Sequence, residues 1–280
     1  MKKIFCLAVV LFLSVTAFAF DQNGNFADFK GNKVYFKSFG KGKKAIVFVH
    51  GWTCNSEFWK DSYVAFPKYR TLAIDLPGHG QSDKPKTDYT MNFFAKSIAA
   101  VMEKANVQQA VLVGHSMGTP VIRQFYRLYP EKTLGLVIVD GALRPYLEEE
   151  IFEEFFAPVR ANYKENAPNF IDGMLMSVKD EKLKQRIREA MLATPDYVAL
   201  SAMDAMGDEK IWEKDQIKVP VLAIMAPSPA WKDDEKEFFQ SIAPNLDFRM
   251  WQGYSHFLMM EEPALFNKTV KLFITKNKLL

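Results

Sequence analysis

The sequence has little cysteine and little net charge. It contains 2 cysteines among 280 residues, and 36 lysines and arginines against 33 aspartates and glutamates. So few cysteines exclude a fold held together by several disulfides. The near balance of charge gives no electrostatic basis for binding nucleic acid or an anionic membrane. After the first twenty residues, no segment is long and apolar enough to predict a membrane span.

The first twenty residues have the pattern of a secretory signal peptide. Lys2 and Lys3 form a basic start, Ile4–Val15 is apolar, and an Ala-x-Ala pattern ends at Ala19. This order predicts a signal at residues 1–19, cleavage after Ala19, and export to the periplasm or the medium. Since the apolar run is shorter than the ~20 residues of a membrane span, we expect no stable anchor after cleavage.

Cys6 lies within that signal, so Cys54 is the single cysteine of the expected mature chain. An unpaired cysteine in an exported protein is either reactive or buried. Burial is the expectation for Cys54, because free cysteine is among the most buried residue types.

Short apolar runs alternate with longer helical patterns along the rest of the chain. Several runs are apolar at nearly every position, as is typical of strands buried on both faces of a parallel sheet. The alternation predicts an α/β fold with right-handed crossovers. The predicted strands are Val34–Phe39, Ala45–Val49, Arg70–Ile74, Ala110–Val113, Leu134–Val139, Val221–Met225 and Asp247–Trp251, and the clearest predicted helices are Asn92–Ala105, Met117–Tyr129 and Pro263–Ile274.

The alternation stops between Gly141 and Gln216, where no convincing strand pattern occurs. That stretch carries acidic residues and phenylalanines, then scattered methionines, which favours several helices. Because strand patterns flank it on both sides, we interpret it as a helical cap at approximately 141–216, inserted into one domain of residues 20–280. A separate second domain is the alternative.

The strongest chemical signal is Gly114–Gly118, which has the form G-x-S-x-G between an apolar strand and a helical pattern. A sharp strand-to-helix turn needs glycine where backbones approach closely, and it exposes the hydroxyl of Ser116 in a strained conformation. The helix that follows offers free N–H groups beside that hydroxyl. Ser116 is therefore the predicted nucleophile.

A serine nucleophile needs a base within hydrogen-bond reach. The candidates are the four histidines, His50, His79, His115 and His256. His256 follows the last predicted strand and is the predicted general base, since a loop there can reach over the nucleophile turn. The ring of His115 should point away from the adjacent hydroxyl, and His79 is interpreted as a structural residue of a tight turn.

His50 and Gly51 follow the strand Ala45–Val49 and lead into an irregular loop. This order suits an oxyanion hole formed by the backbone N–H groups of Trp52 and Met117. His50 is interpreted as a brace for this loop rather than a participant in the chemistry.

Taken in order, His50-Gly51, the turn Asp75–Ser82, the Gly114–Gly118 segment and His256 resemble the α/β-hydrolase superfamily. The resemblance covers nearly all of the expected mature chain. It implies an eight-stranded, mostly parallel sheet with helices on both faces, a helical cap and a Ser-acid-His triad. The chain looks most like small esterases, close to the cofactor-free haloperoxidase-like branch and to carbon–carbon bond hydrolases. No cofactor is expected.

The acid of the triad is where the sequence departs from the family pattern. The usual position falls near Pro229, which cannot orient an imidazole. Asp140 follows the strand Leu134–Val139, where some members of the superfamily carry the acid, and it is favoured because carboxyl ends of strands face the active-site crevice. Asp233 and Asp234 are the alternatives, although they also suit the start of a helix.

These residues predict a serine hydrolase that cleaves an ester-like bond of a small, apolar substrate through an acyl-enzyme. Candidate pocket residues are Trp52, Phe152, Phe155 and Phe156. No histidine pair has metal-ligand spacing, so no metal is expected. A ligand-binding protein without catalysis is the alternative outside enzymes, and a perhydrolase or a carbon–carbon bond hydrolase is the alternative among them. The oligomeric state is not indicated.

Overall fold

A computed structural model describes residues 24–145 and 148–280 and builds them on one eight-stranded sheet. The predicted signal peptide lies outside the described residues. The sheet order is β1-β2-β4-β3-β5-β6-β7-β8. The strands are β1 (Asn25–Phe29), β2 (Asn32–Phe39), β3 (Lys44–Val49), β4 (Arg70–Ile74), β5 (Gln109–His115), β6 (Thr133–Val139), β7 (Val221–Met225) and β8 (Leu246–Met250).

The sheet is antiparallel at one edge and parallel through the rest. Strands β1, β2 and β4 pair antiparallel, whereas β4, β3, β5, β6, β7 and β8 pair parallel in that order. The apolar side chains of β3 are fully buried from Ala45 to Val49, which explains why this strand is apolar at every one of those positions. The predicted α/β fold and the eight-stranded sheet implied by the resemblance are confirmed.

Helices occupy the connections between the parallel strands. The helix α2 begins where the Thr90 hydroxyl accepts a hydrogen bond from the N–H of Phe93, and α10 begins with Pro263 in its first turn. The helices of the described residues are α1 (Lys60–Tyr63), α2 (Met91–Lys104), α3 (Gly118–Leu128), α4 (Glu149–Ala161), α5 (Tyr163–Met174), α6 (Glu181–Leu192), α7 (Asp196–Met206), α8 (Glu235–Ile242), α9 (Leu258–Glu261) and α10 (Pro263–Lys276).

Helices α4 to α7 lie between β6 and β7, and we call residues 148–215 the cap segment. Its described residues contain no strand. The buried guanidinium of Arg123, on α3, joins both ends of this connection, because it donates to Leu143 O at 2.8 Å and to Asp215 Oδ1 at 2.7 Å. Among the described residues, no helix combines the length and the apolar character needed to cross a bilayer.

Strand β1 is absent from the sequence prediction. Only Ala27 and Phe29 of its five residues are buried, so its apolar pattern is too short to stand out. Lys30 and Gly31 both have positive φ, at 55° and 78°, and form the tight hairpin turn into β2. This Lys-Gly turn is the feature by which the sequence could have indicated the extra strand, but it was not used in the prediction.

Candidate active site

Ser116 lies in the sharp turn between β5 and α3. Its φ of +52° is in the left-handed region, which non-glycine residues rarely adopt. The flanking glycines are required by close packing: a Cβ on Gly114 would lie 2.4 Å from Gly118 O, and one on Gly118 would lie 2.7 Å from Val49 O. The strained, glycine-flanked turn holds the serine at the carboxyl end of the sheet.

His256 is paired with Asp140, the buried residue that directly follows β6. The distance from His256 Nδ1 to Asp140 Oδ2 is 2.6 Å. The other carboxylate oxygen, Oδ1, accepts a hydrogen bond from the N–H of Ala226 at 2.8 Å. Asp140 also has a positive φ of +43°, and its own N–H donates to Ile224 O at 2.8 Å. The carboxylate is thus fixed between the ends of β6 and β7.

This pairing determines which nitrogen of His256 is available. A carboxylate accepts hydrogen bonds, so Nδ1 carries the proton and Nε2 of the neutral ring has a free lone pair. The His256 side chain is 25% exposed, whereas that of Asp140 is 3% exposed. Nε2 can therefore accept a proton while Nδ1 stays hydrogen-bonded to buried Asp140.

The loop that carries His256 is joined to the residue next to Ser116. His115 Nε2 donates to His256 O at 2.8 Å, and the two ring centroids are 4.6 Å apart. Burial lowers the pKa of His115 well below its ordinary value, so this ring is neutral. Sequence reasoning placed His115 away from the hydroxyl but gave no signal for this bridge, which spans 141 positions of the chain.

The alternative acids lie elsewhere. Asp234 forms an ion pair with Arg144, with 2.5 Å between Oδ1 and Nη2, and this hydrogen bond lowers the pKa of the Asp234 carboxyl. Asp233 is exposed at the surface. Of the three carboxylates considered from the sequence, Asp140 is the one whose hydrogen bond to His256 the structure contains.

The loop after β3 brings Gly51 next to the turn that carries Ser116. A Cβ on Gly51 would lie 3.1 Å from Ser116 Cβ, so the loop touches the serine turn. The Gly51 carbonyl accepts from His50 Nδ1 at 2.8 Å and from the N–H of Cys54 at 3.2 Å. In a trans peptide the Trp52 N–H points opposite to this carbonyl. Its direction is therefore fixed.

His50 is itself held in one tautomer. Its Nε2 accepts a hydrogen bond from the N–H of Leu76 at 3.0 Å, so the proton is on Nδ1. Burial lowers the pKa of His50 to about 4. In the described part of the chain, neither the Trp52 N–H nor the Met117 N–H donates to another protein group. Both remain available to a substrate oxygen.

The turn Asp75–Ser82 is hydrogen-bonded to the loop that follows β3. Asp75 is buried and accepts from the N–H groups of Ser56 at 2.6 Å and Gln81 at 2.7 Å. His79 packs against His50, with 4.9 Å between ring centroids, and burial lowers its pKa to about 3. The two neutral rings and the Asp75 side chain form a buried polar layer beside the loop that follows β3.

Aromatic side chains connect this loop to the surface of the cap segment. The Trp52 indole is buried and meets Phe170 edge to face at 5.5 Å between centroids. Phe170 in turn lies 5.4 Å from Phe156 and 5.8 Å from Phe155, and Phe152 lies 4.5 Å from Phe156. Phe155 is 55% exposed. The structure thus brings all four predicted pocket residues into one aromatic cluster with Phe170.

Residues 24–145 and 148–280 contain no group of three or more histidine, cysteine, aspartate or glutamate side chains that could hold a metal ion. Cys54 is buried, its Sγ donates to Trp52 O at 3.3 Å, and burial raises the pKa of its thiol.

The chain is similar in sequence and in structure to known proteins. The family described as "alpha/beta hydrolase fold" matches residues 44–171. The chain is 27% identical to non-heme chloroperoxidase from Streptomyces lividans, over 87% of this chain and 96% of that protein. It is 31% identical to the bifunctional esterase/perhydrolase DCH from Acinetobacter calcoaceticus, over 42% of this chain and 44% of that protein. The solved structure of an esterase from Exiguobacterium antarcticum matches with a TM-score of 0.79 at 18% identity, covering 90% of this chain and 99% of that one.

Proposed function

We propose that this chain is a serine hydrolase of the α/β-hydrolase superfamily that cleaves an ester-like bond through an acyl-enzyme. The observation that carries the proposal is the 2.6 Å hydrogen bond from His256 Nδ1 to buried Asp140, in a loop tied to the turn of Ser116. A histidine fixed in this tautomer is the base that a serine nucleophile needs.

In the first half of the reaction, the Ser116 oxygen attacks the substrate carbonyl carbon while His256 Nε2 takes the hydroxyl proton. The carbonyl oxygen becomes negative and accepts hydrogen bonds from the N–H groups of Trp52 and Met117. The carbon–oxygen bond to the alcohol then breaks, and His256 returns the proton to the leaving alcohol. Asp140 stabilises the imidazolium throughout and stays ionised.

In the second half, water replaces the alcohol. His256 takes a proton from the water as its oxygen attacks the acyl carbon, and the same two N–H groups stabilise the oxyanion. The bond to Ser116 breaks, the serine regains its proton from His256, and the carboxylic acid leaves. The net reaction consumes one water and yields one acid and one alcohol.

The aromatic cluster around Trp52 supports an apolar substrate. A ligand that lies along Phe170, Phe155 and Phe156 would gain about 25 cal/mol of binding free energy for each Å² of apolar surface that it buries. These rings offer no charged group to pair with a charged substrate. We therefore propose esters with a small aryl or alkyl group as the substrate class.

The proposal is tested by the pre-steady-state hydrolysis of p-nitrophenyl acetate and p-nitrophenyl butyrate. The expected result is a burst of p-nitrophenol that matches the enzyme concentration, followed by slower turnover, because the acyl-enzyme accumulates. The Ser116→Ala variant should show neither phase. The matched control is Ser241→Ala, which removes an exposed serine hydroxyl and should leave both phases intact. Full turnover by Ser116→Ala refutes the proposal, and ligand binding without any turnover in the wild type favours a non-catalytic binding protein.

Perhydrolysis is a second candidate reaction, favoured by the similarity to the chloroperoxidase and to the esterase/perhydrolase. Hydrogen peroxide would then attack the acyl-enzyme in place of water and release a peracid and free Ser116. The two reactions are separated by measuring peracid and acid from the same ester over a range of peroxide concentrations. Peracid that rises with peroxide at the expense of acid supports perhydrolysis.

We also propose that the protein is exported, on the basis of the signal pattern that ends at Ala19. Expression of the full chain in a bacterial host should give a mature protein whose N-terminal residue is Phe20. Recovery of protein that retains Met1–Ala19 contradicts the proposal.

A further inference from the structure

We propose that the cap segment positions the oxyanion donor, through the Thr194 hydroxyl and the Trp52 indole. This inference rests on the proposed serine hydrolase function. It assigns positioning roles to Thr194 and to the side chain of Trp52, whereas the catalytic contact itself is made by the Trp52 backbone N–H.

Two hydrogen bonds join the cap segment to Trp52 and Thr53, consecutive residues of the loop after β3, which we call the oxyanion loop. Thr194, between α6 and α7, donates its Oγ1 hydrogen to Thr53 O at 3.0 Å. The Trp52 Nε1–H donates to Ala199 O, on α7, at 2.8 Å. All four residues are buried, with exposures between 0% and 6%. Both bonds are therefore shielded from water, which makes them costly to break.

The backbone that these bonds hold is strained. Thr53 has a φ of +56°, and a β-branched residue is a genuine outlier in that region. Such a conformation persists only where surrounding contacts over-determine it. Thr194 supplies one such contact from the cap segment, and the Thr53 hydroxyl, which donates to Trp52 O at 2.8 Å, supplies another from within the loop.

The donor is consequently fixed from two sides. His50 holds the Gly51 carbonyl from the sheet side, and this sets the direction of the Trp52 N–H. Thr194 and Ala199 hold the following residues from the cap side. If the cap segment shifts, the loop loses the second set of contacts, and the N–H is no longer held where the oxyanion forms. The cap segment would thus act on the rate of the chemical step as well as on substrate binding.

An oxyanion donor acts on the transition state and hardly on the bound substrate, so loosening it lowers kcat and leaves KM nearly unchanged. Removing a donor entirely costs about 10²–10³-fold in kcat. A donor that is present but less firmly positioned should lower kcat by a smaller factor, and we expect about a tenfold loss.

The test compares three variants with p-nitrophenyl butyrate as substrate and a trifluoromethyl ketone as a transition-state analogue. Thr194→Val removes the hydroxyl at constant shape, and Thr194→Ser keeps it. The matched control is Ser201→Ala, which removes another hydrogen bond between the cap segment and the core, in which the Tyr89 N–H donates to Ser201 Oγ at 2.9 Å. This bond does not touch the oxyanion loop.

The expected result is that Thr194→Val lowers kcat and weakens the analogue by about the same factor, roughly tenfold, with KM changed less than twofold. Thr194→Ser should restore both values, and Ser201→Ala should leave both at the wild-type level. Equal losses in Thr194→Val and Ser201→Ala would mean that any loosening of the cap segment has this effect, and would overturn the inference.

A second variant keeps the inference testable if Thr194→Val does not fold. Trp52→Phe removes the indole N–H and keeps a ring, and it should likewise lower kcat and weaken the analogue. Wild-type values of both overturn the inference. A failure of the proposed function is recognised separately, because the wild type would then show no Ser116-dependent turnover at all.

Discussion

Replacing Asp140 by asparagine should nearly abolish hydrolysis, for a reason that can be worked from its hydrogen bonds. The carboxylate has two acceptors in use: Oδ1 for the Ala226 N–H at 2.8 Å and Oδ2 for His256 Nδ1 at 2.6 Å. An amide has one oxygen, so one of these two partners must face its NH₂ group. The buried backbone N–H of Ala226 has no alternative tautomer, whereas the histidine ring has one.

The amide oxygen should therefore stay with Ala226, and its NH₂ group should donate to His256 Nδ1. The proton of the ring then moves to Nε2, which can no longer accept the proton of Ser116. The wrong tautomer costs about 10⁴-fold in kcat, which corresponds to about 5.4 kcal/mol.

The assay is steady-state hydrolysis of p-nitrophenyl butyrate by Asp140→Asn, with Asp233→Asn and Asp234→Asn as matched controls. We expect the two controls to stay within about twofold of the wild type, because surface charges far from the reacting atoms contribute little. Circular dichroism checks that Asp140→Asn is folded. A loss of less than tenfold in Asp140→Asn, together with a large loss in either control, refutes the assignment of the acid.

Three further outcomes are expected. Burial holds the pKa of His79 at about 3, against an ordinary value of 6.5, so as the pH falls below 6.5 the unfolded chain takes up a proton that the folded chain does not. The free energy of unfolding, measured by urea titration, should therefore fall from pH 6.5 toward pH 3. His79→Gln should reduce the slope of this free energy against pH by about 1.4 kcal/mol per pH unit. An unchanged slope would contradict the lowered pKa of His79. Because burial raises the pKa of the Cys54 thiol, Ellman's reagent should react with it only after denaturation, and rapid reaction of the native protein contradicts its burial. A Cβ at position 114 would lie 2.4 Å from Gly118 O. Gly114→Ala should therefore lower the free energy of unfolding by about 1–3 kcal/mol in the same titrations and should also lower kcat. Wild-type stability and kcat would show that the turn has room for a methyl group.

The parts of the fold set by local patterns were predictable from the sequence. The strands Arg70–Ile74 and Val221–Met225 have the predicted bounds, because buried parallel strands are apolar along their whole length. The serine turn was predictable for a similar reason, since close backbone contacts at Gly114 and Gly118 leave no room for a side chain. The strands and the contact between Gly114 and Gly118 involve only residues that are near in sequence, whereas the contact of Gly118 with Val49 O joins the turn to β3.

The acid was harder to choose because two neighbouring strands end at the same place. Strands β6 and β7 pair in parallel, with Val139 opposite Ile224, so a side chain after either strand can reach the same histidine. The features that hold Asp140 in place beside His256 are its positive φ and the hydrogen bond from the Ala226 N–H, neither of which has a sequence pattern. The contact of Thr194 with Thr53 was unpredictable for the same reason, since it joins residues 141 positions apart.

The most direct measurement of the central claim is mass spectrometry of the protein after incubation with a fluorophosphonate. This reagent forms a covalent adduct with a serine oxygen that a neighbouring base activates. We predict one adduct per chain, located on Ser116, with no adduct in Ser116→Ala and much slower labelling in His256→Ala. Labelling that persists in Ser116→Ala, or a wild-type protein that resists the reagent, would contradict the assignment of this serine as the nucleophile.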